Sequence, residues 1–383
     1  MIRATALIIL LVVFIGFVYV RHQTKIQYHI ARSLPFTHSC TSTTNSKILD
    51  LIKSLQDLGI PGGQISFISK TTPSIDCAFG WGGSKGLFSP VSLADHFRYA
   101  SLTKIFTSLT ALRLVSEGKM PLDGLVLPRL GDYDKLQDSR LLTITFKHLL
   151  THRAGFDRIR SGDPMLQVAP WCPYDLKTLN KLKLDYTPGQ HYSYSNLGYC
   201  LLGEALAKSA DTPLETLFIN TLDVAQYSSI QEVTNSTISS KEVHYMFDHS
   251  DSEKTLLSFD YHAMLASGGW AGTASDLALL ISRNLNDTKL SVFEGLEPVC
   301  DFSLWRTCHG YVFYKYQKNT QHVMYWRDGS LPGLTAFAAT TPDGEVIVLL
   351  ANYREYKWLK FNDAIGQLLY QYLGDKVSSN EGT

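Results

Sequence analysis

Strand-patterned segments stand at the two ends of this chain and are scarce between them, and that arrangement restricts the fold more than any other feature. Near the start, Gln64–Ser69 and Ser74–Phe79 read as strands joined by a turn at Lys70–Pro73. Near the end, Gln321–Trp326, Leu334–Thr340 and Glu345–Ala351 have the same character, and Pro342-Asp343-Gly344 turns the last pair back on itself. Ser46–Leu58 has helical spacing, with Ile48, Leu51, Ile52 and Leu55 on one stripe and Gly59, Pro61, Gly62 and Gly63 as its stop. A last helix is predicted over roughly Lys357–Leu373, whereas the middle, about 120–265, is patterned as helix and loop. The expected fold class is therefore α+β, an α/β sandwich. One antiparallel sheet built from both ends of the chain carries the N- and C-terminal helices on one face. The mostly helical insert packs beside it and leaves a cleft between. The Gly- and Ser-rich stretch Gly80–Pro90 reads as a loop.

At 383 residues the chain is long enough for one large domain or two intimately joined ones. Formal net charge is zero and no long basic run occurs, which argues against a nucleic-acid partner and for a small or medium-sized one.

From Ala4 to Val20 the chain is apolar apart from Thr5 and Gly16. That length falls near the lower limit for spanning a bilayer and is long for a cleavable signal, and no small-x-small site closes it. It reads as an uncleaved signal-anchor over residues 1–25, with a cleaved signal peptide as the alternative. A polar stalk (26–45), the main domain (46–373) and a short tail (374–383) follow. Positive charge is heavier after the run, which favours a cytoplasmic domain. The acceptor sequons at Asn235 and Asn286 point instead to the lumen or the cell exterior, the placement expected here for a single-pass protein. Among six cysteines, Cys300 and Cys308 flank a short segment and are the disulfide candidate. Cys40 with Cys77 is a looser one, and Cys200 lies in an apolar helix pattern as a buried thiol.

The chemistry-bearing strings are Ser101-Leu102-Thr103-Lys104, opening an apolar helix pattern that Gly118 stops, and Tyr194-Ser195-Asn196, heading another. Serine and lysine three apart share one helix face, so the amine is within reach of the hydroxyl. A helix start also offers unpaired N–H groups and a positive dipole end to a developing oxyanion. A lone S-x-x-K arises by chance about once in a chain of this size, and on its own Ser101 is an ordinary first-turn serine. Tyr194 on its own is a helix-start aromatic, and Asn196 a helix cap. Gly82-Gly83-Ser84-Lys85-Gly86 matches G-x-S-x-G formally, but Pro90 prevents the helix that a nucleophile elbow requires. His148 and His152 are four apart without the carboxylate that would complete a zinc site, so no metal is expected.

Taken together and in order, these strings resemble the serine β-lactamase and penicillin-binding-protein superfamily, and most of all its class C-like branch of D,D-peptidases, esterases and LACTB-type proteins. Phe97-Arg98-Tyr99-Ala100 before the serine, Leu114 to Lys119 after it, and His148-Leu149-Leu150-Thr151-His152 with Gly155 share the likeness. So do Pro188-Gly189, Gly198-Tyr199, Leu201-Leu202-Gly203, Gly268-Gly269 and Thr273 to Leu277, over about residues 46–373. The resemblance implies a β-lactamase/transpeptidase-like fold, an acyl-serine intermediate and no cofactor. It makes Ser101 the nucleophile, Lys104 its proton acceptor and Tyr194 the phenol that relays protons to the leaving group. Asn196 would then hydrogen-bond the substrate amide or Lys104. The third motif of the family usually reads K-T-G, H-x-G or W-x-G, and here the corresponding string is Arg327-Asp328-Gly329. Arg327 would lower the tyrosine's pKa or grip a substrate carboxylate, and Gly329 and the Ser330 N–H would complete an oxyanion hole. The altered motif keeps two rivals open besides the expected amide or ester hydrolase, a non-catalytic binding or scaffold protein and an acyltransferase.

Overall fold

The structure, a computed structural model, describes residues 23–42, 46–234, 238–247, 252–297, 299–318 and 322–380. Strands β1 (His38–Cys40), β2 (Gly62–Ile68), β3 (Ile75–Gly83) and β4 (Gly86–Pro90) come from the front of the chain. Three short strands, β5 (Phe97–Arg98), β6 (Gln231–Glu232) and β7 (Trp270–Gly272), pair in the order β5-β7-β6. From the end come β8 (Tyr314–Tyr316), β9 (Met324–Leu331), β10 (Leu334–Thr340) and β11 (Val346–Ala351). The main sheet runs β1-β3-β2-β11-β10-β9-β8, with β4 also on β3, and all its pairings are antiparallel. The two ends of the chain meet at β2–β11, where Ile65 faces Leu349.

The helices are α1 (23–33), α2 (Ser46–Leu58), α3 (Thr103–Ser116), α4 (Leu127–Leu130) and α5 (Phe146–Leu150). They continue with α6 (Asn196–Ala210), α7 (Leu214–Thr221), α8 (Ser252–Ser258), α9 (Ala274–Asn284) and α10 (Trp358–Asn380). Because side chains alternate along a strand, β11 feeds two cores. Ile347, Leu349 and Ala351 join the α2 stripe and Phe361, Ile365 and Leu369 of α10. Val346, Val348 and Leu350 join the helical middle of the chain, with Leu277 and Ile281 of α9. Each fully buried leucine or isoleucine contributes about 1.5–3 kcal/mol, so the sheet is held from both sides and forms a rigid platform. The expected sandwich is the observed one.

The structure departs from expectation in three places. Residues 23–33 and His38–Cys40 are helix and strand, where an irregular stalk is predicted. Tyr28 stacks on Tyr353 at 4.2 Å and β1 pairs with β3, so tertiary packing orders a polar segment. The predicted loop Gly80–Pro90 is a hairpin, with Gly82 and Gly86 at φ +85° and +112° supplying conformations that side chains resist. Disulfides join Cys40 to Cys77 and Cys172 to Cys200, while Cys300 and Cys308 are thiols. Cys200 is thus not the buried thiol its helix pattern suggests, because α6 carries it against the 172 loop, a proximity with no local signature. Among the described residues no helix is long and apolar enough to cross a membrane, and the apolar run Ala4–Val20 and Asn235 lie outside them. Asn286 is exposed after α9.

Candidate active site

Ser101 sits in a single 3₁₀ turn, Ala100–Leu102, that runs into α3. Ala100 before it has φ +47°, a left-handed conformation rare for a residue with a side chain, and is wholly buried. Strain of this kind is tolerated where the surroundings over-determine it. Here β9 supplies the constraint. A Cβ on Gly329 would lie 2.6 Å from the Tyr99 carbonyl oxygen and 2.9 Å from the Ser101 nitrogen. Only glycine lets this strand close on the Ser101 turn.

One turn along α3, Lys104 is fully buried. Its Nζ lies 2.7 Å from Asn196 Oδ1, 2.8 Å from the Ser267 carbonyl oxygen and 3.3 Å from Ser101 Oγ. Burial, and after it the charge of Arg327, hold this ammonium well below the usual lysine range. A neutral amine has two N–H bonds and one lone pair. In that form Asn196 and Ser267 would accept the two hydrogens and leave the lone pair to the Ser101 hydroxyl, whereas as an ammonium Nζ donates to all three oxygens.

The Tyr194 hydroxyl donates to Ser101 Oγ at 2.7 Å. Burial pushes its phenol up while Arg327 pulls it down, and burial prevails. Ser195, not Asn196, caps α6, accepting from the Gly198 N–H at 2.9 Å. Asn196 thereby becomes the first helical residue and turns its amide toward Lys104, while its Nδ2 donates to Asp163 at 2.6 Å. Ser101, Lys104, Tyr194 and Asn196, from two distant strings, are in direct contact.

Arg327, expected to face substrate, is 1% exposed and does not line the cleft. It donates to the Val312 carbonyl at 2.6 Å, approaches His152 Nε2 at 3.2 Å and lies 5.3 Å from the Tyr199 ring. Asp328 points to the opposite face of β9, as its strand position requires. It takes Arg306 at 2.9 and 2.8 Å and Asn362 at 2.6 Å, not Arg327. Ser330 lines the cleft.

Sequence reasoning assigned no role to His152 or Asp163. His152 accepts the Ser195 N–H at Nδ1, its carbonyl accepts the Ser193 N–H, and its ring lies 4.5 Å from that of Tyr194. It positions the tyrosine segment, and its signal was the His148–His152 string. Asp163 opens a 3₁₀ turn and has no signature of its own. His148 completes a capping box on Thr145, and Ser84 bonds Asp95, away from the cleft. Among the described residues no cluster fit to hold a metal occurs.

The cleft above Ser101 is a cavity of about 650 Å³, walled by Tyr194, Asn196 and Asp163 on one side and Asp328, Ser330 and Leu331 on the other. A family model of β-lactamases matches residues 49–369. The chain belongs to the β-lactamase family. It is 32% identical over 301 residues to a probable fimbrial assembly protein FimD, serogroup H1, of Dichelobacter nodosus, covering 77% of this chain and 75% of that one. It is 31% identical over 124 residues, 32% of each chain, to the D-alanyl-D-alanine-carboxypeptidase/endopeptidase AmpH of Escherichia coli K12. The D-amino acid amidase of Ochrobactrum anthropi SV3 shares its fold, with a TM-score of 0.70 at 17% identity over 87% of this chain and 99% of that one.

Proposed function

We propose that this β-lactamase-family chain is a serine hydrolase that cleaves an amide or ester through an acyl-serine intermediate. The observation that carries the reading is a single oxygen, Ser101 Oγ, held between the Tyr194 hydroxyl at 2.7 Å and the Lys104 amine at 3.3 Å. Ser101 Oγ attacks the substrate carbonyl and gives its proton to the lone pair of Lys104. Charge on the former carbonyl oxygen is met by the Ser101 N–H and the β9 backbone at Ser330, where each donor is worth about 10²–10³ in rate. Collapse of the tetrahedral intermediate breaks the bond to the leaving amine or alcohol, which takes its proton from the Tyr194 phenol. The Lys104 proton returns to the Tyr194 oxygen. In the second half a water loses its proton to the same pair and attacks the acyl carbonyl, releasing the acid and Ser101.

The fuller reading is a single-pass membrane protein with this domain on the lumenal or extracellular side, or a secreted one. The apolar run Ala4–Val20 supports the anchor. The two disulfides support an oxidising compartment, and exposed Asn286 supports glycosylation.

The test is intact-protein mass of the full-length chain after a fluorophosphonate and, separately, a penicillin. One adduct, lost in Ser101→Ala, is expected with the fluorophosphonate, and the penicillin result then reports substrate class. Folded protein that gains no adduct from either probe would overturn the hydrolase reading.

A further inference from the structure

Resting on the membrane-anchor reading, we propose that the mouth of the cleft is a docking face for an anionic lipid surface. Two segments meet there. Ile159 and Leu166, from the loop after α5, and Leu359, from the start of α10, are exposed and line the cleft. Ile159 is 86% exposed, and in the same two segments Val168 is 78% and Tyr356 70% exposed. Arg158 joins the segments, with its guanidinium carbon 5.8 Å from the Trp358 ring centre. Large apolar side chains gathered at one opening mark a surface that something else covers.

Charge identifies the occupant. Residues 354–360 carry Arg354, Lys357 and Lys360 against Glu355 alone, and both lysines are exposed. Exposed Arg160 adds to them from the other segment. The carboxylates of that loop are committed to the protein. Asp157 accepts the Ile159 and Arg160 N–H groups, and Asp163 accepts from Asn196 and the Met165 N–H. Apolar side chains, Tyr356, Trp358 and lysines on one rim make an interfacial surface, whose cations are drawn to anionic headgroups.

The chain itself holds that rim close to its anchor. Tyr28 of α1 stacks on Tyr353 and donates to the Gly59 carbonyl at 3.0 Å. Tyr353 immediately precedes Arg354, which lines the cleft. From Tyr28 back to Gln23 is about 7.5 Å of helix. From Gln23 to Val20, where the apolar run ends, is at most about 10 Å of extended chain. The run therefore ends within about 18 Å of the Tyr28 backbone, well under half the width of a domain of this size, about 50 Å. Between them α1 exposes Lys25 and Arg32. With this face on the bilayer, the cavity over Ser101 opens at the headgroup layer.

The experiment places the full-length protein in vesicles of chain-brominated phosphatidylcholine, either alone or with about one-third phosphatidylglycerol. It reads the emission of a tryptophan added at the mouth, as the difference between Ile159→Trp and the parent protein. Leu142→Trp is the control, since Leu142 is exposed on the helical insert and does not line the cleft. A side chain seated about 5–10 Å into the interface comes within reach of the bromines, so Ile159→Trp should lose roughly half its added emission in the anionic vesicles. Leu142→Trp should lose almost none. Lys357→Glu/Lys360→Glu should return the loss to the control level while circular dichroism remains that of the folded protein. Quenching of Ile159→Trp no greater than the control, or equal without phosphatidylglycerol, overturns the proposal. Cross-links between copies of the chain through an unquenched rim would assign the face to a second copy instead. Carbonate extraction of the same vesicles judges the anchor separately. Protein that washes out after showing the quenching loses the anchor and keeps the docking face. Protein that stays without quenching keeps the anchor and loses the face.

Discussion

The two walls of the cleft are built on different principles. The helical wall, with Lys104, Tyr194 and Asn196, works through polar side chains, Lys104 and Tyr194 within hydrogen-bond reach of Ser101 and Asn196 bonded to Lys104. The strand wall acts through backbone and charge. Gly329 contributes the absence of a side chain, and Arg327 contributes a cation that never reaches the cleft. Chemistry that depends on side chains leaves short strings in the sequence. Chemistry that depends on close approach and field leaves a glycine or an arginine among many others.

If the helical wall supplies proton transfer, Lys104→Met should produce the largest loss. It keeps the stem and removes the lone pair that faces Ser101. The rate of fluorophosphonate labelling should drop by about 10³–10⁴, the scale of losing general-base activation. Circular dichroism should remain that of the folded protein. Labelling within tenfold of wild type would move proton acceptance to another group and dissolve the contrast between the walls.

For the strand wall, the expected loss from Gly329→Ala is about 10²-fold in labelling, comparable to removing one oxyanion donor. The added Cβ must move β9 away from the Tyr99 carbonyl and the Ser101 amide, both backbone atoms that cannot rotate aside. Ser330→Ala keeps the backbone and loses only a hydroxyl, so it serves as the control. Equal labelling in wild type and Gly329→Ala would mean that the close approach of β9 has no part in the chemistry.

The same division explains what was legible in the sequence. The sandwich followed from strand patterns at both ends of the chain, and the structure shows Val346 to Ala351 buried on both faces and paired with β2 from the front. The nearness of Lys104 to Ser101 was readable because helix spacing turns a string into geometry, whereas Tyr194 and Asn196 stood out through the family resemblance and reach Ser101 and Lys104 by tertiary packing. The hairpin Gly80–Pro90 was hidden, since glycine marks a turn and a β-bulge alike. The Cys172–Cys200 pairing, and the placement of Asp163 and Arg158 over the cleft, arise from long loops that tertiary packing alone positions. The face on which Arg327 lies could be read from Gly329, two residues on. What could not be read is that Tyr199 and His152 would close over it.

Arg327 gives the smallest and most discriminating test, since its effect should appear as a shift in pH and not as a loss of rate. Its charge is the largest cause after burial of the depressed proton affinity of Lys104, and it also lowers that of Tyr194. Labelling needs Lys104 as the free amine, so the acidic limb of the labelling-rate profile reports its pKa, below the ordinary lysine value. Removing a positive charge makes the ammonium cheaper to form and the phenolate dearer. In Arg327→Met, both limbs should therefore move to higher pH, with the maximal rate changed less than in Lys104→Met. Arg327→Lys, which retains a cation, should hold the limbs nearer their wild-type positions. Because Arg327 also bonds Val312 and His152, a melting curve for each variant must accompany the profile. A folded Arg327→Met protein whose acidic limb stays in place would show that desolvation alone keeps Lys104 neutral, reducing the strand wall to the single contribution of Gly329.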